Sequence, residues 1–325
     1  MSPALKLKLH RLVRFGLAFL VTVLAWPVLV QPADGPQPLQ IGYQKYGTLV
    51  ILKARGTLEN RLSPLSVTVK WTEFPAGPQL LEGLNVGSID FGVVGEAPPI
   101  FAQAAGAKLV YVANEPPAPA SEAIIVLKDS PLQSVAELKG KKVALNKGSN
   151  VHYLLVKALE KAGLRYQDIQ PVFLPPADAR AAFERGSVDA WAIWDPFLAA
   201  AEKQLGARIL TDGQGLVSNH QFYLAAREYA DKHLRIVQAI VEELAKIDDW
   251  GRRHPDEVAA FLAPQIGLDP TTVEIAARRY SYGVKPIDAA VVAAQQQIAD
   301  VFFALKLIPT SIQIKDAIWQ TPLDH

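Results

Sequence analysis

The residues of this chain best suited to chemistry carry almost no charge. They run Lys142-Val143-Ala144-Leu145-Asn146-Lys147-Gly148-Ser149-Asn150, with an apolar helix after them. Val143-Ala144-Leu145 reads as a short buried strand, and Asn146 to Gly148 as the turn that ends it. Ser149 or Asn150 is placed to cap a helix with Val151, Leu154, Leu155, Ala158 and Ala162 on its inner face, stopped by Gly163. Strand, glycine turn and capped helix aim free backbone N–H groups and the positive end of the helix dipole at one point. That is an anion site made without a formal charge. Taken alone, the stretch reads better as an ordinary strand-to-helix turn.

The unit occurs twice, which favours the site. Ile41-Gly42-Tyr43-Gln44-Lys45-Tyr46-Gly47-Thr48 repeats it, with Thr48 in the capping place and Leu49, Val50, Ile51 and Leu52 following to Gly56. Gly87-Ser88-Ile89-Asp90 leads into a strand and then Glu96. Gly186-Ser187-Val188-Asp189 leads into another and then Asp195, each 99 positions later. Two α/β lobes, each offering a helix N-terminus and a carboxylate at its strand ends, imply one ligand held between them.

The elements that must position these groups alternate between strand and helix, which calls for parallel sheets flanked by helices. Strands are expected at 67–72, 89–94, 109–113, 123–127, 172–174 and 188–193, with helices at 79–86, from Pro98, at 135–139 and at 179–185. Pro116, Pro117 and Pro119 mark a stiff connection, read as the first crossing between lobes. Phe222-Tyr223-Leu224-Ala225 is expected as an edge strand beside Ile124 to Leu127. From Asp231 the pattern is helical, with Leu234, Val237, Ile240, Val241 and Leu244 packing back on the first lobe.

Composition bounds the rest. A chain of 325 residues can bury a large core, and two domains is the natural expectation. Residues 1–33 hold Lys6, Lys8, Arg11 and Arg14, no acid, and an apolar run from Phe15 to Val30, the pattern of a secretory signal peptide. Without those four bases, 29 Lys and Arg face 32 Asp and Glu, a balance that does not suit nucleic acid. There is no cysteine, so no disulfide, zinc-thiolate or thiol nucleophile. Met1 is the one methionine, so a chain cut near Ala33 contains no sulfur. That suits a protein made when sulfur is scarce; drift and codon bias lead to the same composition. No G-x-x-x-x-G-K-[ST], G-x-S-x-G or H-E-x-x-H motif is present, and the six histidines are scattered. His152, beside the proposed anion site, reads as a solvated or capping side chain. Of Trp191 and Trp194, on opposite faces of one strand, at least one belongs to the core.

Several motifs in order resemble one family. Gly42-Tyr43-Gln44-Lys45-Tyr46-Gly47-Thr48-Leu49, Gly95-Glu96-Ala97-Pro98-Pro99, Asn146-Lys147-Gly148-Ser149-Asn150, Pro176-Ala177-Asp178-Ala179-Arg180 and Ala190-Trp191-Ala192-Ile193-Trp194-Asp195-Pro196 are similar to segments of the periplasmic aliphatic sulfonate-binding proteins of Ssu-type ABC transporters. The resemblance runs from about Ile41 to Trp319. It implies a two-lobed periplasmic-binding-protein fold of type II with two crossovers. Residues 34–120 and 229–325 would form one lobe and 121–228 the other. It also implies capture of an alkanesulfonate for a membrane permease and its ATPase, in the periplasm, with no cofactor, no metal, no catalysis and no nucleic acid. Contact with the membrane would come only through the permease. Taurine-, nitrate- and sulfate-binding proteins of the same fold are the alternative. An enzyme on a similar scaffold would call for a cysteine or a cysteine/histidine cluster.

A sulfonate spreads one negative charge over three oxygens and needs a shell of donors. The expected ligand residues are Gln44, Lys45, Gly47, Thr48, Gly95, Glu96, Ala97, Gly148, Ser149, Asn150, Trp194, Asp195 and Phe222. Thr48, Ser149 and Asn150 are expected to supply donors, and Ala97, Trp194 and Phe222 to meet the alkyl tail. Glu96 and Asp195 would repel a bare sulfonate. They are read as acceptors for backbone N–H groups, for a lysine, or for an ammonium on a taurine-like ligand.

Overall fold

The computed structural model describes residues 38–320; the leader expected over 1–33 lies outside them. In chain order the elements begin β1 (Leu39–Tyr43), α1 (Thr48–Arg55), α2 (Thr57–Leu62), β2 (Val69–Glu73), α3 (Gly77–Asn85), β3 (Phe91–Gly95), α4 (Pro98–Ala104) and β4 (Leu109–Asn114). They continue β5 (Glu122–Val126), β6 (Lys142–Leu145), α5 (Asn150–Lys161), β7 (Gln170–Phe173), α6 (Pro176–Glu184), β8 (Ala190–Trp194), α7 (Phe197–Leu205) and β9 (Arg208–Asp212). Last come β10 (Gln221–Ala226), α8 (Arg227–Lys232), α9 (Leu234–Arg253), α10 (Pro255–Ile266), α11 (Pro270–Arg279) and α12 (Ala289–Ala304). The helix expected at 135–139 is a single 3₁₀ turn, Val135–Leu138.

The strands form two sheets of five, ordered β2-β1-β3-β10-β4 and β7-β6-β8-β5-β9. In each, three strands run parallel: β1 pairs β2 and β3, and β6 pairs β7 and β8. The fourth is antiparallel to both its neighbours, β10 in the first sheet and β5 in the second. The doubled sequence unit is therefore a doubled topology, an α/β fold of two lobes. The chain crosses between the sheets twice, through residues 115–121 and 213–220.

The repeated Gly-Ser-X-Asp segments have a structural task. Asp90 accepts from the Gln40 N–H at 2.8 Å, and Asp189 from the Lys142 N–H at 2.7 Å. Each carboxylate fastens the start of one strand, β1 or β6, to the segment that enters its parallel neighbour, β3 or β8.

The return strand is not where it was expected. β10 lies inside the first sheet, between β3 and β4, rather than beside Ile124 to Leu127 at the edge of the second. The reason is burial on both faces. Phe222 and Leu224 pack with Leu80, Ile100, Ile298 and Phe302, while Tyr223 and Ala225 pack with Ile41, Phe91 and Ile240. A continuous apolar run is the mark of a central strand. Each such side chain contributes about 1.5–3 kcal/mol when fully buried, so an edge position would forfeit most of it. The place beside β5 is taken instead by β9, whose half-buried Arg-Ile-Leu-Thr-Asp gives little pattern.

The C-terminal helices cover the first sheet. Val237, Ile240, Leu244 and Ile247 of α9 share a core with Leu49, Ile51 and Leu52 of α1 and with Leu39 and Ile41 of β1.

Candidate ligand-binding cleft

A cleft of about 730 Å³, its mouth included, opens at the carboxyl ends of the parallel strands. Ligands in open α/β sheets gather at that edge because every strand-to-helix turn lies there. Gln44, Lys45, Tyr46 and Gly47 enter from the turn after β1, Gly95 and Pro98 from the end of β3, and Ser149 and Asn150 from the start of α5. Trp194 ends β8 and Asp195 and Pro196 follow it, while Ser121 and Asn219 come from the two crossings and Gln221 from the start of β10.

Both helices that point into the cleft have open N-termini, with no side-chain hydrogen bond capping α1 or α5. The His152 N–H of α5 bonds the Ser149 carbonyl at 3.0 Å, while the first two N–H groups of each helix have no intrahelical partner and remain available to an anion. Gly47, the residue before α1, has φ of 78°, a left-handed conformation natural to glycine. A β-carbon there would also stand 3.2 Å from the Tyr280 hydroxyl. That hydroxyl is buried in the cleft wall without a hydrogen-bond partner. Burial, then the charges of Glu115 and Asp248, push the phenol well above its ordinary range, so it keeps its proton and can donate. Two helix ends and one phenol thus line the same cleft.

The expected residues separate into two groups. Gln44, Lys45, Gly47, Gly95, Ser149, Asn150, Trp194 and Asp195 line the cleft; Thr48, Glu96, Ala97, Gly148 and Phe222 do not. Thr48 is the first residue of α1, not its cap, and its hydroxyl donates to Asp248 at 2.6 Å, facing away. Ser149 occupies the cap position of α5, yet its hydroxyl donates back to the Asn146 carbonyl at 2.7 Å. Asn150 is a strut: its Oδ1 accepts from the Ala97 N–H at 3.2 Å and its Nδ2 donates to Asn219. Its carboxamide lies where a β-carbon on Gly95 would be, so only glycine fits there. Gln44 donates to the Val93 carbonyl at 3.1 Å, and Lys45 reaches Glu73 at 3.7 Å. Ala97 and Phe222 are core, and Gly148 rests against the Phe101 ring. His152 is buried rather than solvated. Its Nδ1 accepts from the Gly148 N–H at 3.2 Å, leaving Nε2–H to donate to Tyr166 at 2.8 Å, and burial lowers its pKa to about 4.

The carboxylates are acceptors for backbone N–H groups. Glu96 Oε2 accepts from His220 at 3.0 Å, and Asp195 Oδ1 from Ala199 at 3.0 Å. Burial raises both to about 7, against the pull of those N–H donors and, for Asp195, of Arg279. Glu122, which the sequence reading passed over, is also fully buried, and desolvation followed by the charge of Glu96 holds it well above the usual carboxylate range.

Part of the cleft wall is apolar and comes from helices that the sequence does not connect to it. Leu262 and Ile266 of α10, Val273, Ala276 and Ala277 of α11, and Tyr282 add an apolar side to the cleft. Nothing local in the sequence brings these residues to Gly47, more than 200 positions away. The visible signal was the cap of α11, where Asp269 accepts from the Thr272 N–H at 3.0 Å. It fixes where the helix starts but not what it faces.

A family model described as NMT1/THI5 like matches residues 68–258. An aliphatic sulfonates-binding protein of Escherichia coli (strain K12) is 46% identical over 314 residues, 96% of this chain and 97% of its own length. Among solved structures, the alkanesulfonate-binding protein SsuA from Xanthomonas axonopodis pv. citri bound to MOPS is 45% identical with a TM-score of 0.85, covering 89% of this chain and all of that one. The periplasmic aliphatic sulphonate binding protein SsuA from Escherichia coli is 48% identical with a TM-score of 0.79, covering 88% of this chain and 93% of that one.

Proposed function

The chain belongs to the aliphatic sulfonate-binding proteins of the NMT1/THI5-like family, and we propose that its cleft holds an alkanesulfonate with the headgroup at Gly47 and the tail against α10 and α11. The observation that carries this reading is the cleft's mixed lining, free donors together with apolar side chains. Uncapped N-termini of α1 and α5 and the unpartnered Tyr280 hydroxyl meet three oxygens. Leu262, Ile266, Val273 and Ala276 meet methylenes. Each methylene buried there is worth about 0.8 kcal/mol, a gain that sulfate and nitrate cannot collect.

The protein works as the solute-binding component of an ABC import system, capturing without turnover and delivering its ligand to a permease and ATPase from the periplasm. Among the described residues no helix is long and apolar enough to cross a membrane. The lobes divide at the crossings in this reading, with 38–114 and 221–320 on one side and 122–212 on the other. Arg279 of α11 forks onto Glu202 of α7 at 2.8 and 3.1 Å, a charged contact between them that supports a closed state. A ligand touching both lobes shifts the population toward that state.

Calorimetry in sulfonate-free buffer, with ethanesulfonate, octanesulfonate, sulfate and nitrate, tests the assignment. Octanesulfonate is expected at micromolar affinity or better, about −8 kcal/mol. Tighter binding of sulfate or nitrate than of either sulfonate would overturn it.

A further inference from the structure

Asp195 stands in the wall of a cleft built for an anion, which is an awkward place for a carboxylate. Every donor that reaches it falls on one oxygen. Oδ1 accepts from the Ala199 N–H at 3.0 Å and faces the Arg279 guanidinium at 3.5 Å. Oδ2 is buried and has no partner among the described residues. The residue is 6% exposed, so water does not screen it. As an anion, Oδ2 would repel the ligand in a dry cavity. As an acid, it is the one oxygen free to carry the proton and donate it.

We propose, resting on the sulfonate assignment, that Asp195 is protonated in the complex and that its Oδ2–H donates to a ligand oxygen. Capture of the anion then takes up one proton from solvent wherever Asp195 is ionised in the free protein. The O–H bond forms on Oδ2, the solvent loses the proton, and no other bond changes.

The surroundings permit this. Arg279 from α11 favours the ionised form, but Glu202 from α7 takes both arms of its guanidinium. Glu122 of β5 lies opposite Trp194 in the sheet, next to Asp195, and adds no positive charge. Lys45, from the β1–α1 turn, is drawn outward by Glu73. Tyr46 and Tyr280 remain phenols. Burial already holds the free acid at about 7, and a second negative charge in the same cavity raises it further.

The test is calorimetry with octanesulfonate from pH 5.5 to 8.5 in two sulfonate-free buffers of different ionisation enthalpy. The ligand does not titrate in this range. Affinity is expected to be level below about pH 6.5 and to fall about tenfold per unit above 7, with close to one proton taken up per ligand at pH 8.5. Asp195→Asn, whose amide donates at every pH, is expected to abolish both the slope and the proton uptake and to bind tenfold or more tightly than wild type at pH 8.5. Glu96→Gln, which removes another carboxylate titrating near 7, must leave the slope in place. A flat wild-type profile overturns the proposal, as does a slope that disappears with Glu96→Gln. So does a preference for aminoethanesulfonate over ethanesulfonate at pH 8.5 that is lost in Asp195→Asn, because Asp195 would then be pairing with an ammonium. Absence of sulfonate binding at pH 5.5 would instead remove the assignment of the site.

Discussion

The Tyr280 hydroxyl lies 3.2 Å from where a β-carbon on Gly47 would sit, which sets a phenol from the end of α11 against the first turn of α1. Of the side chains in the cleft wall, it offers an uncommitted O–H beside open backbone N–H groups. Tyr280→Phe keeps the ring and deletes the donor. A lost hydrogen bond to a charged group costs about 1.5–3 kcal/mol, so sulfonate affinity is expected to fall roughly tenfold to a hundredfold. Thermal stability should hold, since the hydroxyl satisfies nothing in the free protein. Calorimetry and a melting curve on the same sample check both halves, and an unchanged Kd would place the headgroup elsewhere.

Thr48 and Ser149 are expected to behave in the opposite way. The Thr48 hydroxyl donates to Asp248, whose other oxygen accepts from Val284 N–H at 2.8 Å, and Glu115 beside it accepts from Tyr223 at 2.6 Å and from Gly283 N–H at 2.9 Å. This buried cluster ties α1 to α9 and to the segment after Tyr280. Thr48→Val leaves an Asp248 oxygen short of a donor and is expected to cost about 1–3 kcal/mol of stability, read by denaturant unfolding. Ser149→Ala removes one bond to the Asn146 carbonyl and should change sulfonate affinity less than threefold. A tenfold loss on Ser149→Ala would restore that hydroxyl to the ligand shell.

What was legible in the sequence was whatever is written locally. The two strand–turn–helix units are visible because glycine, cap position and apolar spacing sit within about ten residues, and their doubling predicts the doubled sheets. The sequence leaves the roles of Thr48 and Ser149 open because serine and threonine hydroxyls serve caps, back-bonds and ligands alike. Only their partners, Asp248 at 200 positions and Asn146 at three, decide which. β10 was assigned to the wrong sheet because an apolar run does not name its neighbours. Tyr280 and the wall from Leu262 to Ala277 were invisible because their place depends on helices packing back over more than 200 residues.

That wall should set chain-length preference. Ala276 lines the cleft on α11, half-buried, with Val273 one turn before it. Ala276→Leu adds three carbons to the space assigned to the tail. Octanesulfonate affinity is expected to fall tenfold or more while ethanesulfonate changes less than threefold, since overpacking costs about 1–3 kcal/mol only where atoms compete for space. The ratio of the two dissociation constants is the readout. An equal loss for both would mean that the tail points away from α11.

The buried carboxylates give the free protein a distinctive dependence on pH. Glu96 and Asp195 are raised to about 7, and Glu122 stands well above its ordinary range, all chiefly through desolvation. The folded chain therefore holds protons that the unfolded chain has released. The resulting stability is complete below the ordinary carboxylate range and drains away as pH rises to about 7, or further for Glu122. His152 acts in the other direction. Its pKa is lowered to about 4, so its contribution is complete above about 6.5 and is lost as pH falls toward 4. On these groups the ligand-free protein should thus be most stable near the ordinary carboxylate range, about pH 4–5, and lose stability as pH rises through 7, and further where Glu122 titrates. Each raised group is worth about 1.4 kcal/mol per pH unit in its window, which amounts together to several degrees in Tm for a chain of this size. Glu122→Gln, neutral throughout, should flatten the alkaline side. Melting temperatures that rise from pH 6 to pH 8 would show that these carboxylates are ionised and solvated in the folded protein.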